Sequence, residues 1–202
     1  MVDQLSYKSF PKGHQGLKQV YYGYGKGKTT AALGSLLRAS GRGYKSCIIQ
    51  FLKSSRFYGE IKSLNNLGVD IYQYGRQCRY DTLITQDEMK CVGCGECFVS
   101  SENCTDEDKK VFDMGLKRAM KFLESEEYFL LVLDEILDLV QLKILSVGEI
   151  KSLISIKTNT ELIMTGHDVP DEITEDVDLI TEMKSVKHPF EKGIEARRGI
   201  EF

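Results

Sequence analysis

The amino-acid sequence predicts an α/β domain: a mostly parallel sheet of five or six strands with helices on both faces. Short apolar runs alternate with stretches of helical periodicity, as strands joined by crossover helices do. From Tyr128 to Leu133 run five apolar residues behind a tyrosine, too short for a helix and suited to a strand buried on both faces. Between a strand-like and a helix-like segment lies the glycine-rich run Gly23-Tyr24-Gly25-Lys26-Gly27-Lys28-Thr29-Thr30.

Taken in order, Lys18 to Tyr22 reads as the first strand and Thr29 to Ala39 as the first helix, closed by Gly41 and Gly43. Ser46 to Leu52 is a second strand, with Cys47 expected to be a buried, inert thiol. A helix near Gly59 to Leu67 leads to a third strand, Val69 to Tyr74. The long helix from Thr105 to Glu124 has a good N-cap, acidic residues in its first turn, and Phe112, Leu116, Ala119 and Leu123 on one face. The strand ending at Leu133 follows, then a helix at Val147 to Ile156. Strands at Glu161 to Met164 and Val177 to Thr181 precede a mixed-charge tail. The interval between Gly75 and Asn103 fits neither period and reads as a loop or insertion.

With 202 residues the chain is expected to form one domain, residues 18–202, behind an N-terminal arm of residues 1–17 and with a cysteine-rich insertion at about 76–104. Hydrophobic residues make up 42% and charged residues 28%, the balance of a soluble globular protein. No apolar run approaches the roughly 20 residues that span a bilayer. Residues 1–16 are polar and carry no apolar stretch like that of a secretory signal. A cytoplasmic protein is the expectation, with no membrane partner. The formal charge of −3 argues against a nucleic-acid partner, which requires a large basic surface.

The glycine-rich run has the composition and context of a phosphate-binding loop. Its glycines let backbone N–H groups turn inward, and the following helix adds its positive dipole end. Lys28 is placed to reach phosphate oxygens and the Thr29 hydroxyl to ligate Mg²⁺. The spacing is a variant: the leading glycine is Gly23, one residue later than the general pattern, and a second lysine, Lys26, lies inside the loop. The fold expected is therefore that of a P-loop (RecA-like) NTPase. Asp134 and Glu135 follow the buried strand, at the end where open parallel sheets bind ligands. A carboxylate there holds Mg²⁺ against a nucleotide. Gln50 and Lys53 sit at the corresponding end of the second strand. Lys187 and His188 precede Pro189, an extended setting from which both side chains are placed to reach a ligand.

Cys91, Cys94, Cys97 and Cys104 have spacings of two, two and six intervening residues. Thiolates so close together suit an iron–sulfur cluster, particularly [4Fe–4S], or Zn²⁺. Unmetallated thiols are the remaining reading. The fourth ligand is Cys104 or, as the alternative, Cys78.

The chain resembles the ATP:corrinoid adenosyltransferases. The resemblance rests on the variant loop with Ala31-Ala-Leu-Gly34 after it, on Gln50-Phe-Leu-Lys53, on Val132-Leu-Asp-Glu135, and on Thr165-Gly166. It continues through Asp178-Leu-Ile-Thr-Glu-Met183, Val186-Lys-His-Pro-Phe190, Gly193-Ile194 and the closing Gly199-Ile-Glu-Phe202. It spans about residues 18–202 without the cysteine segment. It implies transfer of the 5′-deoxyadenosyl group of ATP to a Co(I) corrinoid with release of triphosphate, and Mg²⁺ at Thr29 and Glu135. It further implies a homodimer whose N-terminal segment helps cover the site, and an electron-donor flavoprotein as a partner. Lys28, Thr29 and Glu135 would carry catalysis. Two departures stand out. Where some members carry an aromatic pair after the third strand, this chain keeps Tyr80, and where many read Thr-Gly-Arg it has His167. Two other functions remain open on the residues alone: a different P-loop ATPase or kinase, and a nucleotide sensor signalling through a metal cluster.

Overall fold

The structure, a computed structural model, describes residues 7–194 and 196–200. Six strands form its centre: β1 (Lys18–Tyr22), β2 (Ser46–Phe51), β3 (Asp70–Tyr74), β4 (Leu130–Asp134), β5 (Glu161–Gly166) and β6 (Leu179–Glu182). The helices are α1 (Lys28–Gly41), α2 (Gly59–Asn66), α3 (Asp81–Thr85), α4 (Asp106–Ser125), α5 (Ile136–Gln141) and α6 (Val147–Ile154), with 3₁₀ turns at Asp171–Asp176 and Pro189–Lys192. The sheet order is β3-β2-β4-β5-β1-β6, and every neighbouring pair is parallel. All six strands therefore end on one edge, and β5 stands between the strand of the glycine loop and the strand of the acidic pair.

Period-two alternation sends successive side chains to opposite faces. Val20, Cys47, Ile49, Phe51, Leu131, Leu133, Leu162 and Met164 face the side covered by α4, α5 and α6, where Phe112, Leu116, Ala119 and Leu123 meet them as their spacing predicts. Ile48, Leu130, Val132 and Ile163 face the other side, under Ala32, Leu36 and Ala39 of α1 and Leu64 of α2. Helices thus cover both faces, as expected. Among the described residues, no helix is long and apolar enough to cross a membrane.

Helix α4 begins where Thr105 suggests. The Thr105 hydroxyl accepts from the Asp108 N–H (3.2 Å), and the Asp108 carboxylate accepts from the Thr105 N–H (2.8 Å), a capping box. Arg76, just past β3, grips the same carboxylate with Nε (2.9 Å) and Nη2 (2.5 Å). Hydrogen bonds from Arg76 hold the Asp108 carboxyl far below the usual carboxylate range.

Two helices depart from the sequence expectation. α3 forms inside the segment read as a loop, because Asp81 is buried and accepts from the Arg56 backbone N–H (2.8 Å) and Nε (3.1 Å). α5 is only six residues long and buries Ile136, Leu137, Asp138 and Leu139, so it shows no amphipathic period to read. Residues 7–17 run along the opposite edge of the sheet from the strand ends that bear the glycine loop and the acidic pair. Tyr7 and Lys8 hydrogen-bond the carbonyls of Gly68 and Gly43, ahead of β3 and β2. Phe10 and His14 pack on Phe129, ahead of β4. These described residues do not cover the ligand-binding edge of their own chain; residues 1–6, and Glu201 and Phe202 of the closing pattern, lie outside the described residues.

Candidate active site

The glycine loop joins β1 to α1 at the C-terminal edge of the sheet. Gly23 and Gly27 both adopt φ +118°, a conformation that side-chain-bearing residues rarely reach. Gly25 is required by packing: its N–H donates to the Met183 carbonyl (2.8 Å), and a Cβ there would lie 2.4 Å from that oxygen. Met183 in turn donates its N–H to the Tyr22 carbonyl (2.7 Å), so the chain leaving β6 lies against the loop. Lys28 folds back over the loop, with Nζ donating to the carbonyls of Gly23 (2.6 Å) and Gly25 (3.3 Å). Burial lowers its pKa, opposed by Asp138, Glu135 and Asp134.

A polar network at the ends of β2, β4 and β5 fixes the floor. Asp134 is completely buried. One carboxylate oxygen accepts from the Thr29 (2.9 Å) and Thr165 (2.8 Å) hydroxyls, the other from Lys53 Nζ (2.8 Å) and Gln50 Nε2 (3.4 Å). Lys53 also lies 3.0 Å from Glu135 Oε1. Burial alone would lower the Lys53 pKa, but the two carboxylates outweigh it and raise it well above the usual value. Burial opposes ionisation of Asp134 too, yet Lys53 and the hydroxyl donors hold its pKa low. Glu135 goes the other way: burial pushes it up, Lys53 pulls back, and the adjacent Asp134 charge adds to the rise.

Glu135 takes a left-handed backbone (φ +63°), uncommon for a non-glycine residue. The Thr165 hydroxyl holds it there by accepting the Glu135 N–H (2.8 Å). The turn separates the two carboxylates. Asp134 stays beneath the site, whereas Glu135 lines a cleft of about 490 Å³ together with Lys26, Gly27, Lys28, Thr29, Thr30 and Lys53. Tyr58, Gly59 and Glu60 at the start of α2, Leu33, His167 and the returning tail at Gly199–Ile200 complete its walls. A second hollow of about 330 Å³ shares Lys53, Tyr58, Glu135 and His167 with the first, and is bounded by Leu52, Phe98, Val99 and Leu142.

The structure brings together most residues singled out from the sequence, but not all in the roles expected. Gln50 is buried in a relay, receiving Gln73 Nε2 (3.0 Å) and donating to Asp134, and does not reach the cleft. Gly23 and Gly25 shape the loop from behind. Tyr24 is largely exposed and packs on His167 with the rings tilted by 48° and centroids 5.4 Å apart. Lys187 and His188 do not line the cleft; His188 Nδ1 instead accepts the Phe190 N–H (3.2 Å) and caps a 3₁₀ turn. Tyr80 packs under Arg79, outside both hollows. His167, whose Nδ1 is 3.0 Å from Asp138, holds the place at the end of β5. Tyr58 and Glu60 also line the cleft, and their one sequence signal is position, just after a strand end that faces the ligand edge.

The cysteines are not gathered as a ready ligand set. Cys91 and Cys94 are exposed, Cys97 and Cys104 half-buried, and Cys78 and Cys47 buried. Among the described residues, no three His, Cys, Asp or Glu side chains are placed to hold a metal ion.

Comparison with known proteins follows the same lines. Residues 14–202 match the family model described as ATP:corrinoid adenosyltransferase BtuR/CobO/CobP. A corrinoid adenosyltransferase of Sinorhizobium sp is 28% identical over 190 residues, covering 93% of this chain and 81% of the relative. One from Escherichia coli K12 is 28% identical over 189 residues, covering 93% and 86%. The corrinoid adenosyltransferase CobA of Salmonella typhimurium is 26% identical over 190 residues, covering 93% and 86%.

Proposed function

Because the chain belongs to the BtuR/CobO/CobP family of ATP:corrinoid adenosyltransferases, we propose that it transfers the 5′-deoxyadenosyl group of ATP to the Co(I) centre of a corrinoid, releasing inorganic triphosphate. The observation that carries this reading is the cleft itself, where Lys26, Lys28, Thr29 and Thr30 face Lys53 and Glu135. In this reaction the cobalt electron pair forms a bond to C5′. The C5′–O5′ bond breaks, and its electron pair leaves on triphosphate. The protein's work is to hold and neutralise that leaving group, since charge developing on the departing oxygen sets the barrier.

Lys28 is held for this. Its ammonium rests on the Gly23 and Gly25 carbonyls, contacts that phosphate oxygens can replace. Lys26 gives the loop a second cation. The oxygen donors suit Mg²⁺: Thr29 spends its proton on Asp134 and keeps lone pairs for a metal, while Glu135 turns its carboxylate into the cleft. Bound there, Mg²⁺ would supply further positive charge to the triphosphate. Asp134, buried below, orients Thr29 and Lys53 without touching substrate. The second hollow, walled by Leu52, Phe98, Val99 and Leu142, is the apolar space next to the acidic pair and is assigned to the corrinoid side of the reaction.

The family resemblance supports the finer assignments: a cytoplasmic homodimer, served by a flavoprotein that reduces the corrinoid to Co(I). The test is anaerobic incubation with ATP, Mg²⁺ and a chemically reduced corrinoid, followed by its visible spectrum. Formation of the adenosylcorrinoid supports the assignment. ATP consumed to ADP and phosphate with the corrinoid unchanged would select a P-loop ATPase instead, and tight nucleotide binding without turnover a sensor.

A further inference from the structure

Residues 86–105 form twenty consecutive positions without helix or strand, and Val99 is their single buried side chain. A stretch of that length pays a large conformational entropy to keep one path, and one apolar anchor does not offset it. Its cysteines are arranged as if something else does. Gly93 and Gly95 adopt left-handed φ values of +64° and +75°, one between Cys91 and Cys94 and one between Cys94 and Cys97. Such left-handed glycines allow sharp bends between successive thiols, as a segment wrapped round a single centre needs.

The structure also separates the two possible fourth thiols. Cys78 is buried at the turn before α3, and its carbonyl accepts the Asp81 N–H (3.0 Å). The residue after it, Arg79, is ion-paired through Nη2 to Glu96 Oε1 (3.2 Å), the residue before Cys97. Cys104 has different surroundings. Its thiol points to the Thr105 carbonyl (3.7 Å), next to the Arg76–Asp108 clamp, and it packs against the main core.

We propose that Cys78, Cys91, Cys94 and Cys97 form a four-thiolate site for a soft metal centre, Zn²⁺ or an iron–sulfur cluster, and that Cys104 is not a ligand. Closure of the exposed segment would bring the thiols together, driven by metal–thiolate bonds that form as the thiols lose their protons. The consequence for the enzyme lies in the next two residues. Phe98 and Val99 follow Cys97 directly and form a wall of the hollow beside Lys53 and Glu135, so the centre fixes that wall.

Full-length protein purified without oxygen tests this by metal analysis and visible absorption. Iron with acid-labile sulfide and a broad visible band identifies a cluster; zinc without visible absorption identifies Zn²⁺. The metal-free protein is then titrated with Co²⁺, whose thiolate charge-transfer band reports sulfur ligands. Wild type and Cys104→Ser should bind one equivalent with equal band intensity. Cys78→Ser should bind at least about tenfold more weakly and with a weaker band. Cys91→Ser, at an exposed position, should show the same loss and serves if Cys78→Ser fails to fold. Loss of the band in Cys104→Ser, or its full retention in a folded Cys78→Ser, would overturn the ligand set. Wild type that purifies without iron or zinc and takes up no Co²⁺ would overturn the site itself.

Discussion

Replacing Lys53 with methionine keeps the side chain's length and removes its charge, leaving Asp134 and Glu135 without their shared cation. The Lys53 side chain is 14% exposed and that of Asp134 0%, so the pair is buried, and breaking such a pair costs about 3–5 kcal/mol. Asp134 keeps donors from Thr29, Thr165 and Gln50, which places the expected loss near the lower figure, about 3 kcal/mol. For a chain of this size that lowers Tm by roughly 6–12 °C. The pH dependence has a definite sign. In the wild type the depressed pKa of Asp134 contributes stability that is present above about pH 3.9 and lost as pH falls through the folded value. In Lys53→Met both carboxyls rise, so protonating them relieves the variant. The Tm gap should therefore be widest near pH 8 and narrow towards pH 5. Thermal unfolding followed by circular dichroism across that range measures it. The double variant Lys53→Met/Asp134→Asn should unfold at higher temperature than Lys53→Met alone. A single variant within about 2 °C of wild type at pH 8, or a gap that widens as pH falls, would refute the reasoning.

Thr165→Val removes the hydroxyl that accepts from Glu135 N–H and donates to Asp134; it should cost about 1–3 kcal/mol in chemical denaturation and lower turnover by releasing the Glu135 turn. Gly25→Ala places a Cβ against the Met183 carbonyl, so ATP affinity by calorimetry should fall at least about tenfold while the circular dichroism spectrum is kept. Arg76→Ala strips the clamp from Asp108 and should cost about 1–2 kcal/mol. Because the Asp108 pKa is depressed, that loss is full at neutral pH and shrinks as pH falls below about 3.9, which urea titrations at pH 7 and pH 3 compare. Lys28→Ala should abolish adenosyl transfer, and full retention would remove the loop from the mechanism.

Much of the fold was legible because burial on both faces writes itself as unbroken apolar runs. Leu130 to Leu133 and Cys47 to Ile49 sit at the sheet centre for that reason. The glycine loop and Asp134-Glu135 were legible because their chemistry needs fixed neighbours. What sequence periodicity does not encode is how a side chain turns once placed. Asp134 and Glu135 are adjacent, yet one left-handed residue puts the first under the floor and the second in the cleft. Gln50 stands at the anticipated strand end but is consumed by Gln73 and Asp134. His188 stands in the extended setting before Pro189, but the following 3₁₀ turn takes its ring as a cap rather than leaving it for a ligand. α3 depends on Arg56, 25 residues earlier in the chain, gripping Asp81, a tertiary contact that no local pattern announces.

On this reading the loop grips triphosphate as an intact leaving group. Phosphorus NMR of a single anaerobic turnover with ATP, Mg²⁺ and Co(I) corrinoid tests it most directly. Inorganic triphosphate should appear in step with adenosylcorrinoid, and both should vanish in Lys28→Ala. ADP and phosphate as the first products, with no carbon–cobalt bond formed, would contradict the account.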